Sequence, residues 1–200
     1  ILVANGAKRE QIVVLPNGVD DFWLDTPKAA RKTKETRFLM VGRNDPAKGY
    51  EVLKDALPLI REPVEIHFVG DWPEFESTHH NLIYHGVVRG KEQMMEIMDS
   101  CDVLLLPSLS EGMPTVVLEA MARGLQIVGT DVGAMTDLKD GLLPPGDAQA
   151  LAACISQVVK TTEQGQLPSH HRWSEIAGDT LSVLQSECDS EECKVSTLGA

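Results

Sequence analysis

Apolar residues fall along this chain in short unbroken runs, separated by stretches in which they recur every three or four positions. Arg37 to Gly42, Val64 to Gly70, Leu82 to His85, Asp102 to Leu106 and Gln126 to Thr130 are runs of the first kind. A continuous apolar run of that length, bounded by turn residues, predicts a strand buried on both faces. Tyr50 to Ile60 carries Leu53, Ala56, Leu57 and Ile60 at helical spacing and predicts a helix that Pro58 kinks or ends early. Lys91 to Ser100, Pro114 to Arg123, Ala148 to Lys160 and Trp173 to about Gln185 predict further helices. Two weaker strands are expected at Gln11 to Leu15 and Leu142-Leu143. A turn follows the first of these at Asn17-Gly18, residues that tolerate positive φ. Thr26 to Thr36 is polar, basic and aperiodic, and reads as a connector.

Fully apolar strands alternating with helices specify the α/β class: a doubly wound, Rossmann-like parallel sheet with helices on both faces. Ligands of such sheets bind at the carboxyl ends of the strands. Four segments fall there: Gly42-Arg43, Gly70-Asp71, Gly86-Val87-Val88 and Ser108 to Pro114. The domain is expected to span 23–186. Residues 1–22 read as a linker with a remnant of an element already under way, and 187–200, acidic and aperiodic, as a disordered tail.

The 200 residues, 42% of them hydrophobic, suffice for one well-cored domain, and the lack of an initiator Met suggests a piece of something longer. A net charge of −12 argues against nucleic-acid or anionic-membrane partners, so any anionic ligand must be held by a local cluster of donors. No apolar stretch is long enough for a membrane span. Cys101, Cys154, Cys188 and Cys193 lack metal-type spacing, which suits free thiols in a reducing, cytoplasmic setting. His79-His80 and His170-His171 read as polar loop or cap residues, and no metal site is expected.

Chemistry concentrates in Glu111-Gly-Met-Pro-Thr-Val-Val-Leu-Glu119. Pro114 suits the first position of a helix. Gly112 allows close approach of a ligand to the backbone. The amides around Met113, Thr115 and Val116 then point outward at the positive end of the helix dipole, an arrangement that suits a phosphate. Glu119 lies four positions after Thr115, on the same face and about 6 Å along the axis. Its neighbours are apolar, so its carboxylate needs bonding partners, which a ribose diol would supply. Taken alone, the two glutamates read as an ordinary helix former and a first-turn acid. A second, basic constellation changes that. Arg43 and Lys48, five apart in the loop Gly42 to Gly49, place a fork and a point charge where they can clamp a diphosphate. The loop is neither a Walker motif nor a dinucleotide fingerprint.

These residues resemble the nucleotide-sugar-binding domain of retaining glycosyltransferases with the two-Rossmann-domain (GT-B) architecture, family 4, specifically its C-terminal half. The matching segments are Leu15-Pro-Asn-Gly-Val-Asp20, Gly42-Arg43 through Lys48-Gly49, Phe68-Val-Gly-Asp71, His85-Gly-Val-Val88, Cys101 to Ser108, Glu111 to Glu119, Asp140 to Asp147, and Trp173. The resemblance covers about residues 10 to 185. It implies that Arg43 and Lys48 hold the diphosphate and stabilise the leaving group. Glu111 would lie beside the transferred sugar, which the backbone of Gly112 and Met113 touches, and Glu119 would hold the ribose. The amides of Thr115 and Val116 would meet phosphates, Gly42 would line the donor loop, and the Val88 backbone would bond the base. Gly133-Ala-Met-Thr-Asp137 departs from the Gly-Gly-x-x-Glu that often stands there, so contacts of that loop are not carried over.

The implied activity is metal-independent, retaining transfer of a hexosyl group from a nucleoside-diphosphate sugar, with UDP-sugar favoured over GDP-sugar and no cofactor. The acceptor would be a glycan or a lipid-linked molecule in cell-surface polysaccharide or lipopolysaccharide synthesis, held by an N-terminal domain absent from this sequence. The whole protein would be cytoplasmic or peripheral at the inner membrane face, and these residues alone would be inactive. Rival readings are a non-catalytic nucleotide-sugar-binding module, a glycoside hydrolase using the two carboxylates, and a nucleotide-sugar 2-epimerase.

Overall fold

The computed structural model describes residues 3–6, 8, 12–28, 35–138, 141–161 and 172–189. Gln11, most of the Thr26–Thr36 connector, Asp140, His170-His171 and residues 190–200 lie outside the described set. Five strands form one parallel sheet: β1 (Arg37–Val41), β2 (Glu65–Val69), β3 (Asn81–Tyr84), β4 (Val103–Leu106) and β5 (Gln126–Gly129). Their order is β3-β2-β1-β4-β5, and every neighbouring pair is parallel. Among the described residues seven α-helices accompany them: α1 (Asp21–Asp25), α2 (Tyr50–Ala56), α3 (Lys91–Ser100), α4 (Thr115–Ala122), α5 (Met135–Leu138), α6 (Ala148–Val158) and α7 (Trp173–Asp189).

Alternation along each strand splits the core into two layers. Phe38, Met40, Ile66, Phe68, Val103 and Leu105 face α2 and α6, meeting Leu53, Ala56, Leu151 and Ile155. Leu39, Val69, Leu104, Leu106 and Ile127 point the other way, onto Trp23, Met98, Val117, Leu118 and Met121. Because both faces are covered, the strands are apolar on both sides, β4 at every position and the others apart from their first residues and His67, and the expected doubly wound sheet is the architecture found. Among the described residues no helix is long and apolar enough to cross a membrane.

Several local expectations are revised. Of the strand expected at Gln11 to Leu15, Gln11 lies outside the described residues and Ile12 to Leu15 is irregular: Val14 is 84% exposed, and among the described residues no strand lies alongside. Leu142-Leu143 reduces to one bridge between Thr130 and Leu143. Gly18 does not take positive φ. Its constraint is close approach, since a Cβ there would lie 2.8 Å from the Trp173 nitrogen. Pro58 ends α2 at Ala56, and a single 3-10 turn, Leu57–Leu59, completes the segment. Helix α7 continues past Gln185 to Asp189. Helices α1 and α5, each of five residues or fewer, are too short to leave a periodic signature.

One ion pair fixes the depth at which α4 sits. Arg123 caps the carboxyl end of α4 and is 3% exposed. Its guanidinium grips Asp99 of α3 through two nitrogens at 2.8 and 2.7 Å and donates to the carbonyls of Trp23 and Thr26. Four acceptors on two other segments thus converge on one fork, the geometry for which arginine is suited. Removing one partner of such a pair leaves a buried charge uncompensated. Arg123→Ala should therefore lower unfolding stability by about 3–5 kcal/mol in urea denaturation. A loss below about 1 kcal/mol would show that the pair does not hold α4 in place.

Candidate functional site

The sheet order reverses between β1 and β4, which places a crevice at their carboxyl ends, where open α/β sheets bind ligands. Two loops line it, 42–49 and 107–114. The first is built tightly. The Gly42 amide donates to the Val69 carbonyl, and the Asn44 amide to Asp71. Asp45 caps the single 3-10 turn Pro46–Lys48 by accepting from the Ala47 amide. Gly49 closes the loop at φ +71°, and a Cβ there would lie 1.8 Å from the Pro107 carbonyl oxygen. Only glycine meets both demands. The Leu109 amide bonds the Ala47 carbonyl at 2.7 Å. The two loops are therefore seated on each other, and Lys48 is aimed across the gap.

Its target is Glu111. Lys48 Nζ lies 2.7 Å from Glu111 Oε1, and the wholly buried Ser108 donates its hydroxyl to the same oxygen at 2.7 Å. The Glu111 side chain is only 7% exposed. Its second oxygen and two further protons of the lysine ammonium remain for a ligand. Arg43 sits at the mouth of the same crevice, exposed, with no bonding partner among the described residues.

Past Glu111 the backbone sorts its polar groups. The carbonyl of Gly112 accepts from the Ala134 amide, that of Met113 from Asn17 Nδ2 at 2.8 Å, and that of Pro114 from the Val117 amide. The amides of Gly112, Met113, Thr115 and Val116 donate to nothing among the described residues. Three consecutive acceptors are engaged and four donors are open, at the positive end of α4. That is an anion cradle. Pro114 occupies the N-cap, with φ −74° and ψ 115°, and not the first helical position. Its extended ψ turns the chain from the loop into the helix, which begins at Thr115. Gly112 is exposed, and a Cβ there would meet nothing within 4 Å, so no protein neighbour demands the glycine. The loop after β5 also reaches the site. Gly133, at φ +58°, presses its backbone on the Glu111 and Gly112 carbonyls, so that an added Cβ would come within 2.4 Å of both oxygens.

One turn further along, Glu119 is half-buried and makes no side-chain hydrogen bond among the described residues. Burial pushes its carboxyl above the usual carboxylate range. The Lys91 ammonium pulls it back down, and the Asp20 charge adds to the rise. Lys91, the first residue of α3, is itself paired with Asp20 at 2.7 Å. Val88, just before α3, is half-buried against the core, and its backbone N–H and C=O have no partner among the described residues. Sequence reading placed Ser108 at the ligand end of the sheet without a role, and missed Lys91 and Asn17 as members of this neighbourhood. The only signal was position: Lys91 opens an expected helix, and Asn17 stood in a segment read as a turn and matched to the family without a role. Among the described residues, no three of His, Cys, Asp or Glu are disposed to hold a metal ion. His79 and His80 instead bond the Arg61 and Leu57 carbonyls.

Comparison with known proteins identifies the family. Residues 35–161 match the family described as glycosyl transferases group 1. A Bacillus subtilis protein named as a teichuronic acid biosynthesis glycosyltransferase, TuaC, is 34% identical over 156 residues, covering 75% of this chain and 38% of that protein. The phosphatidyl-myo-inositol mannosyltransferase of Mycobacterium leprae is 30% identical over 224 residues, covering 95% and 59%. The chain thus spans between about a third and three-fifths of these relatives. Among solved structures, the apo lipopolysaccharide outer core galactosyltransferase WaaB superposes with a TM-score of 0.75 at 22% identity, covering 93% of this chain and 58% of that one. Anabaena HepE in complex with UDP-glucose gives 0.74 at 20% identity, covering 92% and 60%. These two likenesses concern the fold, the Rossmann-like layer of a GT-B enzyme. With the family match covering most of its length, this chain belongs to the glycosyl transferases group 1 family.

Proposed function

We propose that the crevice between β1 and β4 binds a nucleoside-diphosphate sugar, and that the chain is the donor-binding part of a retaining glycosyltransferase. The observation that carries this reading is the sorted backbone at 112–116, with carbonyls engaged and amides open among the described residues, directly after the Glu111 that holds the Lys48 ammonium. Two amides at the start of α4 and a cation suit an anion, and the two amides before them suit the group attached to it.

In this reading the diphosphate lies over the amides of Thr115 and Val116, with Lys48 shared between it and Glu111. Arg43, whose side chain has no bonding partner among the described residues, turns in from the rim. Glycosidic cleavage puts negative charge on the departing diphosphate and oxocarbenium character on the sugar. Donors fixed in advance at that charge supply the main stabilisation, because they need no rearrangement at the moment of bond breaking. Glu111, held by Ser108 and Lys48, presents its second oxygen to a sugar hydroxyl, and the Gly112 and Met113 amides support the same ring. Glu119 accepts from the ribose diol, which satisfies a carboxylate that burial has left costly to ionise. The Val88 backbone bonds the base, which we take as uracil. Counter-charge comes from Arg43, Lys48 and the amides, with no metal required.

Relatives named for teichuronic acid biosynthesis and for mannosyl transfer to phosphatidyl-myo-inositol support a hexosyl transfer to a glycan or lipid-linked acceptor. We place the acceptor site outside these 200 residues, in keeping with their partial coverage of the relatives, and expect them to bind donor without turning it over. Thermal-shift measurement with UDP, GDP, ADP and their sugars tests the donor class. A rise with UDP and its sugars is expected, and no rise with any nucleotide contradicts the reading.

Two substitutions separate the parts of the site. Arg43→Ala should weaken nucleoside-diphosphate binding about tenfold or more while leaving the parent nucleoside within about twofold, in calorimetry, since one charged hydrogen-bonding group is lost. Equal affinity for both ligands before and after substitution would remove Arg43 from the clamp.

Glu119 predicts a pH dependence. Its folded carboxyl titrates above the usual range because burial disfavours the ionised form. Ionisation of Glu119 therefore opposes folding as pH rises through that raised value, whereas ribose hydroxyls bind only the ionised form. Affinity for an intact nucleotide sugar, whose diphosphate does not titrate near neutrality, should fall as pH is lowered through that raised value, and Glu119→Gln should flatten the profile. A wild-type profile that is already flat would show that Glu119 does not touch the ligand.

A further inference from the structure

The three engaged carbonyls of the cradle differ in who engages them. Gly112 is bonded from the loop after β5, and Pro114 from within its own helix turn. Met113 is bonded from a residue 96 positions earlier, Asn17, which lies outside the sheet and its helices. Asn17 meets Met113 twice: its side-chain amide donates to the Met113 carbonyl at 2.8 Å, and its backbone amide points at the Met113 sulfur.

The Met113–Pro114 peptide is the weak point of an anion site. It has an acceptor and, because proline lacks an N–H, no donor. If that peptide plane turned, a carbonyl dipole would face the anion beside the open amides of Thr115 and Val116. Helical geometry does not prevent this, since Pro114 stands before the helix with extended ψ. What holds the carbonyl is the carboxamide of Asn17. That residue is in turn anchored. Gly18 is seated against Trp173, and the Val19 carbonyl accepts from the Trp173 amide at 3.1 Å. Val19 is 2% exposed, and Asp20 caps α1 and pairs with Lys91. Four consecutive residues therefore tie the start of α7, the start of α3 and the mouth of α4 together.

We propose that Asn17 is a positioning residue for the diphosphate: its side chain fixes the Met113 carbonyl and thereby keeps the neighbouring amides turned toward the anion. The inference rests on the donor-site reading above, and it adds a residue from the segment entering the domain, two positions from the attachment of α7. Asn17 touches no ligand itself. It acts through the 112–116 backbone, so its loss affects the phosphate part of a nucleotide and not the nucleoside part.

The test is calorimetry on the 200-residue chain with whichever of UDP, GDP and ADP gives the largest thermal shift, and with its parent nucleoside. Asn17→Ala removes the carboxamide; Asn17→Leu keeps its bulk without a donor or a charge. Either variant that retains a cooperative melt serves. The expected result is a loss of about tenfold in nucleoside-diphosphate affinity with nucleoside affinity within about twofold, and faster amide hydrogen exchange at Ala134 and Val117, whose amides bond the Gly112 and Pro114 carbonyls. Equal loss for both ligands, as a merely structural role would give, or no loss for either, would overturn the assignment while leaving the donor site standing. Failure of the unaltered chain to bind any of the three diphosphates would overturn both.

Discussion

The carboxylate of Glu111 is the joint on which the site depends. It accepts from Ser108, in the loop leaving β4, and from Lys48, in the loop leaving β1. Those loops belong to the two strands between which the sheet reverses its order, so one oxygen atom ties together both walls of the crevice. The pair is mostly removed from water, where an unpartnered charge of either sign would be costly. Lys48 is thereby kept pointing inward, and the cradle that begins at Gly112 has a cation beside it.

The remaining structure serves to hold this joint in register with α4. Arg123 locks the carboxyl end of α4 to α3 and α1, while Gly133 and Ala134 press on its entrance from the loop after β5. Asn17 reaches the same entrance from the opposite direction. The helix is short, eight residues, and carries little amphipathic character of its own, because its residues Val117, Leu118, Ala120 and Met121 are all buried. Its position is set by contacts at its two ends, and the polar groups left free are those at the end that faces the crevice.

Much of the fold was legible because a sheet covered on both faces demands unbroken apolar strands, and every such run from Arg37 to Thr130 became a strand within one or two residues. Failures came where that demand is absent. Ile12 to Leu15 has a strand's composition without a partner strand, and α1 and α5 are too short for periodicity to register. At the site, Lys48, Glu111, Gly112, Thr115 and Val116 were brought together as their spacing suggested. Arg43 lies at the rim without a bonding partner, and Pro114 caps the helix from outside. What could not be read were the long-range ties: a serine buried under Glu111, an asparagine 96 residues from the carbonyl it holds, and a glycine whose constraint is Trp173. Such contacts exist only once the sheet order is known, and neighbouring residues carry no trace of them.

The central claim is that one pyrophosphate lies over the open amides of α4 against Lys48. A crystal structure of this chain with a bound nucleoside diphosphate tests it most directly. The account predicts phosphate oxygens within hydrogen-bonding distance of the Thr115 and Val116 amides and of Lys48 Nζ, with the ribose hydroxyls on Glu119. A diphosphate bound elsewhere, with those amides still unengaged, would contradict it.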